Sequence, residues 1–232
     1  MLTLTSLTIR LSNGQLLFNG LSHAFAAGER HSIVGNNGVG KSTLLNLIAG
    51  LRSSDTGSIT WNKRDITHLA FYERSQRFLG VLFQQPSKGC TPLLTVRQNL
   101  QLASMKKRSF TLETTLDKAL LSIALDYADL LQINMSTILD RPMMHLSGGQ
   151  QQLIACIMML INTPELILLD EPTAALSPHA IQLLTQLLLQ YHAQHRSTIL
   201  CVTHDMAFSE ALATQTHELQ EKGAIVLKGS CV

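Results

Sequence analysis

The residues best suited to chemistry lie in one short segment, Gly35-Asn36-Asn37-Gly38-Val39-Gly40-Lys41-Ser42-Thr43. A glycine-rich turn can direct several backbone N–H groups at one anion, and the start of a helix adds about half a positive charge. Lys41 contributes a full charge, and the Ser42 hydroxyl can bind a metal ion. The segment therefore predicts a binding loop for a nucleoside triphosphate with Mg²⁺. A plain glycine turn before an ordinary helix is the alternative without function.

Two acids, Asp170 and Glu171, follow an apolar run at residues 166–169. A buried parallel strand would deliver both to its carboxyl end, where ligands of such sheets bind. Consecutive strand side chains point in opposite directions, so we expect different roles for the two acids. Asp170 suits the Mg²⁺ site beside Ser42, through a water, and Glu171 suits the orientation of an attacking water. A polar cap for the helix that follows near Pro178 is the competing explanation.

A second glycine-containing turn reads Leu146-Ser147-Gly148-Gly149-Gln150 and precedes another apolar helical run. A hydroxyl and glycines at a helix start can form a second anion site. They can equally form an ordinary serine N-cap beside flexible glycines. Taken alone, the turn leaves both explanations open.

The elements that must position these residues alternate between strand and helix, which predicts an α/β fold with a mainly parallel sheet. Residues 1 to about 30 alternate apolar and polar positions around an Asn13-Gly14 turn, which indicates an N-terminal antiparallel β subdomain. A strand-like run at 78–83 stops at Pro86, and helical periodicity follows to about Ser147. We therefore predict one domain, with a core at about 1–86 and 147–232 and an inserted helical lobe at about 87–146.

The bulk composition excludes several classes of function. Only 15% of the residues are charged and the net charge is +2, with no basic stripe, so no nucleic-acid partner is expected. The longest apolar run, residues 153–161, is shorter than the roughly 20 residues that a membrane-spanning helix needs. No secretory signal is visible at the N-terminus. We expect packing cysteines in a reduced state rather than disulfides or metal ligands at Cys90, Cys156, Cys201 and Cys231.

The order of these motifs resembles the ATP-binding-cassette family of transport ATPases, in which "LSGGQ" is the signature sequence. The resemblance spans nearly the whole chain and includes "LFQQP" with Gln84 and "CVTHD" with His204, besides "GNNGVGKST", "LSGGQQQ" and "LILLDEPTAAL". It implies a P-loop NTPase core that binds ATP with Mg²⁺. It also implies that Gln84 contacts the metal and the attacking water, and that His204 hydrogen-bonds the γ-phosphate.

The resemblance further implies a head-to-tail dimer with a second copy of this chain or with a homologous ATPase. Each ATP would then lie between the phosphate loop of one copy and the signature turn of the other. In that arrangement Ser147, Gly149 and Gln150, with Gly148 between them, meet the γ-phosphate that the other copy holds with Lys41. ATP would join the two copies, and hydrolysis would release them.

Three positions depart from the family pattern. Leu11 stands where an aromatic side chain usually stacks on adenine, which predicts a loss of about 1–3 kcal/mol of stacking. Ser177 stands where an aspartate usually helps the two sites communicate, and Leu153 stands where arginine is common. None of these changes removes a ligand of phosphate, metal or water, so we predict an active but slow ATPase.

Other users of a phosphate loop fit less well. The "NKRD" segment at 62–65 imitates a guanine-reading motif but lies too close to Lys41 for a GTPase, and a small-molecule kinase would not need the signature. Soluble members of the same family, with roles in repair, translation or septum assembly, are the main alternative. We favour a transport subunit held by integral membrane permease subunits at the cytoplasmic face of the inner membrane. The helical lobe would be the docking site.

The resemblance favours uptake of amino acids or similar small solutes with the help of a solute-binding protein. It rests here on the segment "LFQQPSKGCTPLLTVRQNL". The transported solute and the direction of transport are not encoded in a subunit whose ligand is ATP.

Overall fold

A computed structural model describes residues 1–11, 14–105 and 118–230. Asn13 of the predicted turn, residues 106–117 of the predicted helical lobe and Cys231 lie outside the described residues. The strands, in chain order, are β1 (Leu2–Arg10), β2 (Leu16–Phe25), β3 (Arg30–Val34), β4 (Thr56–Trp61), β5 (Arg64–Asp65), β6 (Leu79–Leu82), β7 (Leu166–Asp170), β8 (Thr198–Val202), β9 (Gln215–Leu219) and β10 (Ile225–Ser230). The helices are α1 (Lys41–Ala49), α2 (Phe71–Arg77), α3 (Val96–Ser104), α4 (Lys118–Leu130), α5 (Met135–Ile138), α6 (Gly148–Leu160), α7 (Pro178–His195) and α8 (Met206–Leu212).

The strands form two sheets. The smaller sheet has the order β2-β1-β4-β5 with antiparallel neighbours, which confirms the predicted antiparallel subdomain. The larger sheet has the order β10-β9-β3-β8-β7-β6. Only the β10–β9 pair is antiparallel, so the prediction of a mainly parallel core sheet is confirmed. Helices α3, α4 and α5 lie between β6 and α6, within the segment predicted as the helical lobe.

The parallel strands are apolar because both of their faces are buried. Ile167 and Leu169 of β7 belong to one apolar cluster with α6 and α7. The alternate residues Leu166 and Leu168 belong to a second cluster with α1 and the antiparallel sheet. Burial on both faces fixes the register of each strand against its neighbours. It therefore also fixes the position of the residues at the carboxyl end of the strand.

One buried arginine fixes the helix that follows the phosphate loop. The Arg74 guanidinium is 1% exposed, and burial lowers its pKa to about 10. It donates to the carbonyls of Leu47 and Ile48 in the last turn of α1. Further carbonyl partners are those of Ile66, Thr67 and Leu69. A cation at a helix C-terminus satisfies carbonyls that lack a helical partner and complements the helix dipole.

Candidate active site

An open cleft of about 560 Å³ lies at the start of α1, beside the carboxyl ends of β7 and β8. It brings together phosphate-loop residues and three side chains predicted to act in catalysis. The lining residues are Leu11, Leu17, Asn37, Gly38, Gly40, Lys41, Ser42, Thr43, Gln84, Glu171 and His204. Residues distant in the sequence therefore share one site.

The phosphate loop needs glycine where it packs against the rest of the chain. Gly35 has φ +151, and a Cβ atom there would lie 2.5 Å from the Leu219 carbonyl oxygen. Gly40 has φ +105, and a Cβ atom there would lie 2.9 Å from the Phe18 ring. Gly40 occupies the N-cap position of α1, and no side chain of the described residues caps this helix. The first N–H groups of α1 are therefore available to an anion.

Lys41 spans the loop that precedes it. Its Nζ donates to the carbonyl oxygens of Gly35 at 2.8 Å and Asn36 at 2.9 Å. The side chain is 6% exposed. Burial lowers the pKa of its ammonium group, and the charge of Glu171 opposes that shift. A largely buried cation held at the rim of a glycine loop is well placed to neutralise a phosphate.

Ser42 and Asp170 form a hydrogen-bonded pair of oxygen-bearing side chains. The Ser42 hydroxyl donates to Asp170 Oδ1 at 3.0 Å. Burial raises the pKa of the Asp170 carboxyl, whereas the Ser42 hydrogen bond and the Lys88 charge lower it. Among the described residues, no group of three or more His, Cys, Asp or Glu could hold a metal ion. The pair fits Mg²⁺, which usually takes one or two carboxylates and completes its shell with phosphate and water oxygens.

Glu171 and His204 form a second pair in the cleft. His204 Nε2 lies 3.4 Å from Glu171 Oε1, and the His204 backbone N–H donates to Glu171 Oε2 at 3.2 Å. Glu171 has φ +47, a left-handed conformation that is costly for a residue with a side chain. Its backbone N–H donates to the Val202 carbonyl at 2.8 Å, just beyond the end of β7. Such strain persists where surrounding structure holds it, and it concentrates at functional sites.

The signature residues do not line this cleft in the described part of the chain. Ser147 caps α6, because its Oγ accepts from the Gln150 N–H at 3.2 Å. Gln150 Oε1 in turn accepts from the Ser147 N–H at 3.1 Å. A Cβ atom at Gly149 would lie 3.1 Å from the Ala175 carbonyl oxygen, so Gly149 packs against the loop after β7. Gly148, between Ser147 and Gly149, is the first residue of α6.

The positions that depart from the family pattern have local roles. Leu11 lines the cleft and packs against the apolar cluster of the antiparallel sheet. Ser177 caps α7, with its Oγ accepting from the Ala180 N–H at 3.3 Å. Leu153 is 6% exposed and belongs to the apolar cluster around α6.

Sequence reasoning missed Gln152, a residue of α6 that is buried against two loops of the site. It follows Gln150 and Gln151, and nothing in a run of three glutamines distinguishes the buried one from the others. The available signal was its place at the start of an apolar helical run, where an inward-facing amide needs buried partners.

Comparison with known proteins identifies relatives over most of the chain. The family model described as "ABC transporter" matches residues 18–174. A tyrosine transport ATP-binding protein of Clostridioides difficile is 37% identical over 218 residues, which cover 91% of this chain and 83% of that protein. The thiamine import ATP-binding protein ThiQ of Haemophilus ducreyi is 38% identical over 201 residues, covering 87% and 88%.

Solved structures match as well. A dimeric structure of a bacterial ABC transporter cassette has a TM-score of 0.85 and 26% identity, with each chain covered over 100% of its length. A dimeric post-hydrolysis structure of an ATP-binding cassette with ADP and phosphate has a TM-score of 0.84 and 25% identity over the same share of both chains.

Proposed function

Because this chain belongs to the ABC transporter family as an ATP-binding subunit with ATPase activity, we propose that it powers solute transport through separate permease subunits by ATP-driven dimerisation. One observation carries the proposal: Lys41, Ser42 and the Glu171–His204 pair line a single cleft, and Asp170 is hydrogen-bonded to Ser42 at its edge. That combination can hold a triphosphate and align water against it.

The phosphate loop binds the triphosphate. Backbone N–H groups of residues 35–43 and the charge of Lys41 neutralise its oxygens. Ser42, Asp170 and Gln84 would hold Mg²⁺, which would balance the negative charge that develops during phosphoryl transfer. Adenine lies against Leu11, an aliphatic surface, so its contribution to affinity is smaller than that of a stacked ring.

Hydrolysis depends on alignment more than on covalent chemistry. Glu171 accepts a proton from the attacking water, and Gln84, which lines the same cleft, orients that water. The imidazole of His204 donates to the γ-phosphate, and the backbone N–H of His204 holds the Glu171 carboxylate by its hydrogen bond of 3.2 Å.

The dimer completes each site. Ser147, Gly149 and Gln150 of one copy bind the γ-phosphate held by the phosphate loop of the other copy, in a head-to-tail arrangement. Their position outside the cleft of their own chain supports this assignment, as do the dimeric structures of similar cassettes. ATP then joins the copies, and its hydrolysis lets them separate, which converts chemistry into motion.

The permease docks on an apolar groove beside the helical lobe. The groove has a volume of about 330 Å³, and its lining includes Phe71, Phe83, Leu102 and Met158. Nearby Leu93 is 77% exposed, as expected for a surface that a partner covers. None of the described helices is long and apolar enough to cross a bilayer. In this proposal, docking on permease subunits holds the chain at the cytoplasmic face of the inner membrane.

We further propose that the transport role is uptake of amino acids or similar small solutes, delivered by a solute-binding protein. The names of the two curated relatives specify tyrosine transport and thiamine import.

The proposal is tested by ATP hydrolysis of the purified chain. Turnover should require Mg²⁺, and Glu171→Gln should lower it about a hundredfold or more, the usual contribution of a general base, while the Kd for ATP stays unchanged. Glu165→Gln is the matched control, because Glu165 is exposed just before β7 begins, at the end opposite Glu171. Equal turnover in Glu171→Gln and the parent chain would refute the assignment of Glu171.

A further inference from the structure

Gln152 is a buried side chain that joins three parts of the molecule. It lies in the second turn of α6 and is 1% exposed. Its Nε2 donates to the carbonyl oxygen of Phe83 at 3.1 Å and approaches that of Pro172 at 3.5 Å. Its Oε1 is buried and has no hydrogen-bond partner among the described residues.

The two carbonyls mark the place where adjacent strands separate. The last pair of the β6–β7 ladder is Leu82 with Leu169. Phe83 directly follows the end of β6, and Pro172 lies two residues beyond the end of β7. The Gln152 amide therefore bridges the two chain segments just beyond the point where their own ladder ends.

Each bridged segment carries a residue assigned to catalysis. Phe83 immediately precedes Gln84, and Pro172 immediately follows Glu171. The helix that supplies the amide begins at the signature turn, one turn before Gln152. From this juxtaposition we infer that Gln152 is a positioning residue, which holds the Gln84 and Glu171 loops in register with each other and with the signature helix. The inference rests on the proposed function.

Stability alone does not account for a glutamine at this position. A buried acceptor without a partner costs free energy, and an apolar side chain of similar size would avoid that cost. Replacement of Gln152 by leucine removes the unpaired Oε1 but leaves the two carbonyls without their donor. The gain and the loss oppose each other, so we expect little change in the stability of the fold.

The expected effect is on turnover and not on nucleotide affinity. The hydrogen bonds of Gln152 go to the Gln84 and Glu171 loops, whereas the proposed function assigns the triphosphate to Lys41 and Ser42 at the start of α1. A loss of register between Gln84 and Glu171 would misplace the attacking water. Small misplacements of this kind cost about ten- to a hundredfold in rate.

The test compares Gln152→Leu and Gln152→Met with the parent full-length chain. We expect kcat for ATP hydrolysis to fall about tenfold or more, with the KM and Kd for ATP within about twofold of the parent, a difference below 0.6 kcal/mol. Thr185→Val is the matched control, because it also replaces a buried polar group by an apolar one. The Thr185 hydroxyl donates to the Ile181 carbonyl within α7. The kcat of Thr185→Val should therefore match the parent value.

Two results would overturn the inference. One is a kcat within twofold of the parent in either folded variant. The other is a parallel change of kcat, KM and melting temperature in both variants, which indicates a role in folding only. If the parent hydrolyses ATP and Glu171→Gln does not, these results reject the role of Gln152 and leave the proposed function intact. An inactive parent chain would reject the proposed function instead.

Discussion

Two helices of this chain begin at turns that contain glycine and a hydroxyl residue, and they begin in opposite ways. α1 follows Gly40, which has no side chain to offer, and its first N–H groups have no side-chain cap. α6 follows Ser147, which forms a closed capping box with Gln150. The N-cap residue thus decides whether the first N–H groups of such a helix are all left to an anion or are paired in part within the turn.

The two helix starts also differ in their surroundings. Lys41 is 6% exposed and lies in a cleft formed by its own chain. Ser147, Gly148 and Gln150 are exposed and lie outside that cleft. The start of α1 can therefore bind phosphate within one chain. An anion could reach the start of α6 only from outside that cleft.

Removal of the Lys41 ammonium should have the largest effect. In Lys41→Ala we expect the Kd for ATP to rise by roughly a hundredfold, because hydrogen bonds to charged groups contribute about 1.5–3 kcal/mol each. Calorimetric titration of the parent and the variant with Mg-ATP measures this. Lys118→Ala, a change at an exposed lysine of α4, should leave the affinity unchanged. Equal affinity in Lys41→Ala and the parent would show that the start of α1 is not the anion site that the comparison with α6 assumes.

Acid should lower the stability of the part of the molecule that contains β3 and α1. Three histidines, His23, His31 and His217, meet where β2, β3 and β9 adjoin, and β3 leads into the phosphate loop. His31 Nδ1 lies 3.1 Å from His217 Nε2. Burial, followed by the charges of His31 and His23, lowers the pKa of His217 from 6.5 to about 4. Burial also lowers the pKa of His31, which the Ala26 carbonyl and the charge of Glu29 raise in part.

The sign of the effect follows from these shifts. The unfolded chain binds a proton at His217 as the pH falls below about 6.5, and the folded chain resists until about pH 4. Stability is therefore fully present above pH 6.5 and is lost progressively between the two values. At about pH 5 the loss from His217 is about 2 kcal/mol relative to about pH 8.

Denaturant unfolding at both pH values measures that loss. It should be smaller in His217→Gln, while the exposed His145→Gln should behave as the parent chain. Amide exchange should show that acid opens β3 and α1 before α6. Identical acid sensitivity in His217→Gln and the parent would show that this cluster does not distinguish the two regions.

The sequence was sufficient where a feature depends on neighbouring residues. Glycines, a lysine and an apolar periodicity predict the β3–loop–α1 unit, and Gly50 ends α1 with φ +78, as expected for a C-terminal stop. The apolar run before Asp170 predicts a buried strand, and β7 lies there.

The sequence was insufficient where a side chain finds partners far along the chain. Arg74 binds carbonyls of Leu47 and Ile48, and Gln152 binds that of Phe83. No periodicity marks such bonds, because they form only after the sheet has brought the segments together. The histidine cluster is of the same kind, because no pattern in the sequence marks His31 as a residue 1% exposed beside His217.

The last test concerns the cap of α6. Ser147→Ala removes the acceptor of the Gln150 N–H, so the free energy of unfolding should fall by about 1 kcal/mol. Thr95→Ala is a matched control, because Thr95 and Gln98 form the same capping box at the start of α3. Both variants should lose similar stability. Only Ser147→Ala should lower kcat, by about tenfold, since one charge-assisted hydrogen bond contributes about 1.5–3 kcal/mol.

The ATP affinity of the isolated chain should be the same in both variants, because the start of α6 lies outside the cleft of its own chain. Stability is measured by denaturant unfolding, kcat by phosphate release, and dimerisation by sedimentation of the Glu171→Gln background with Mg-ATP. In that background Ser147→Ala should weaken the ATP-dependent dimer and Thr95→Ala should not. If turnover and dimerisation survive Ser147→Ala, the start of α6 is a helix cap and nothing more. The contrast with α1 would then lie in local capping alone, without a second phosphate contact.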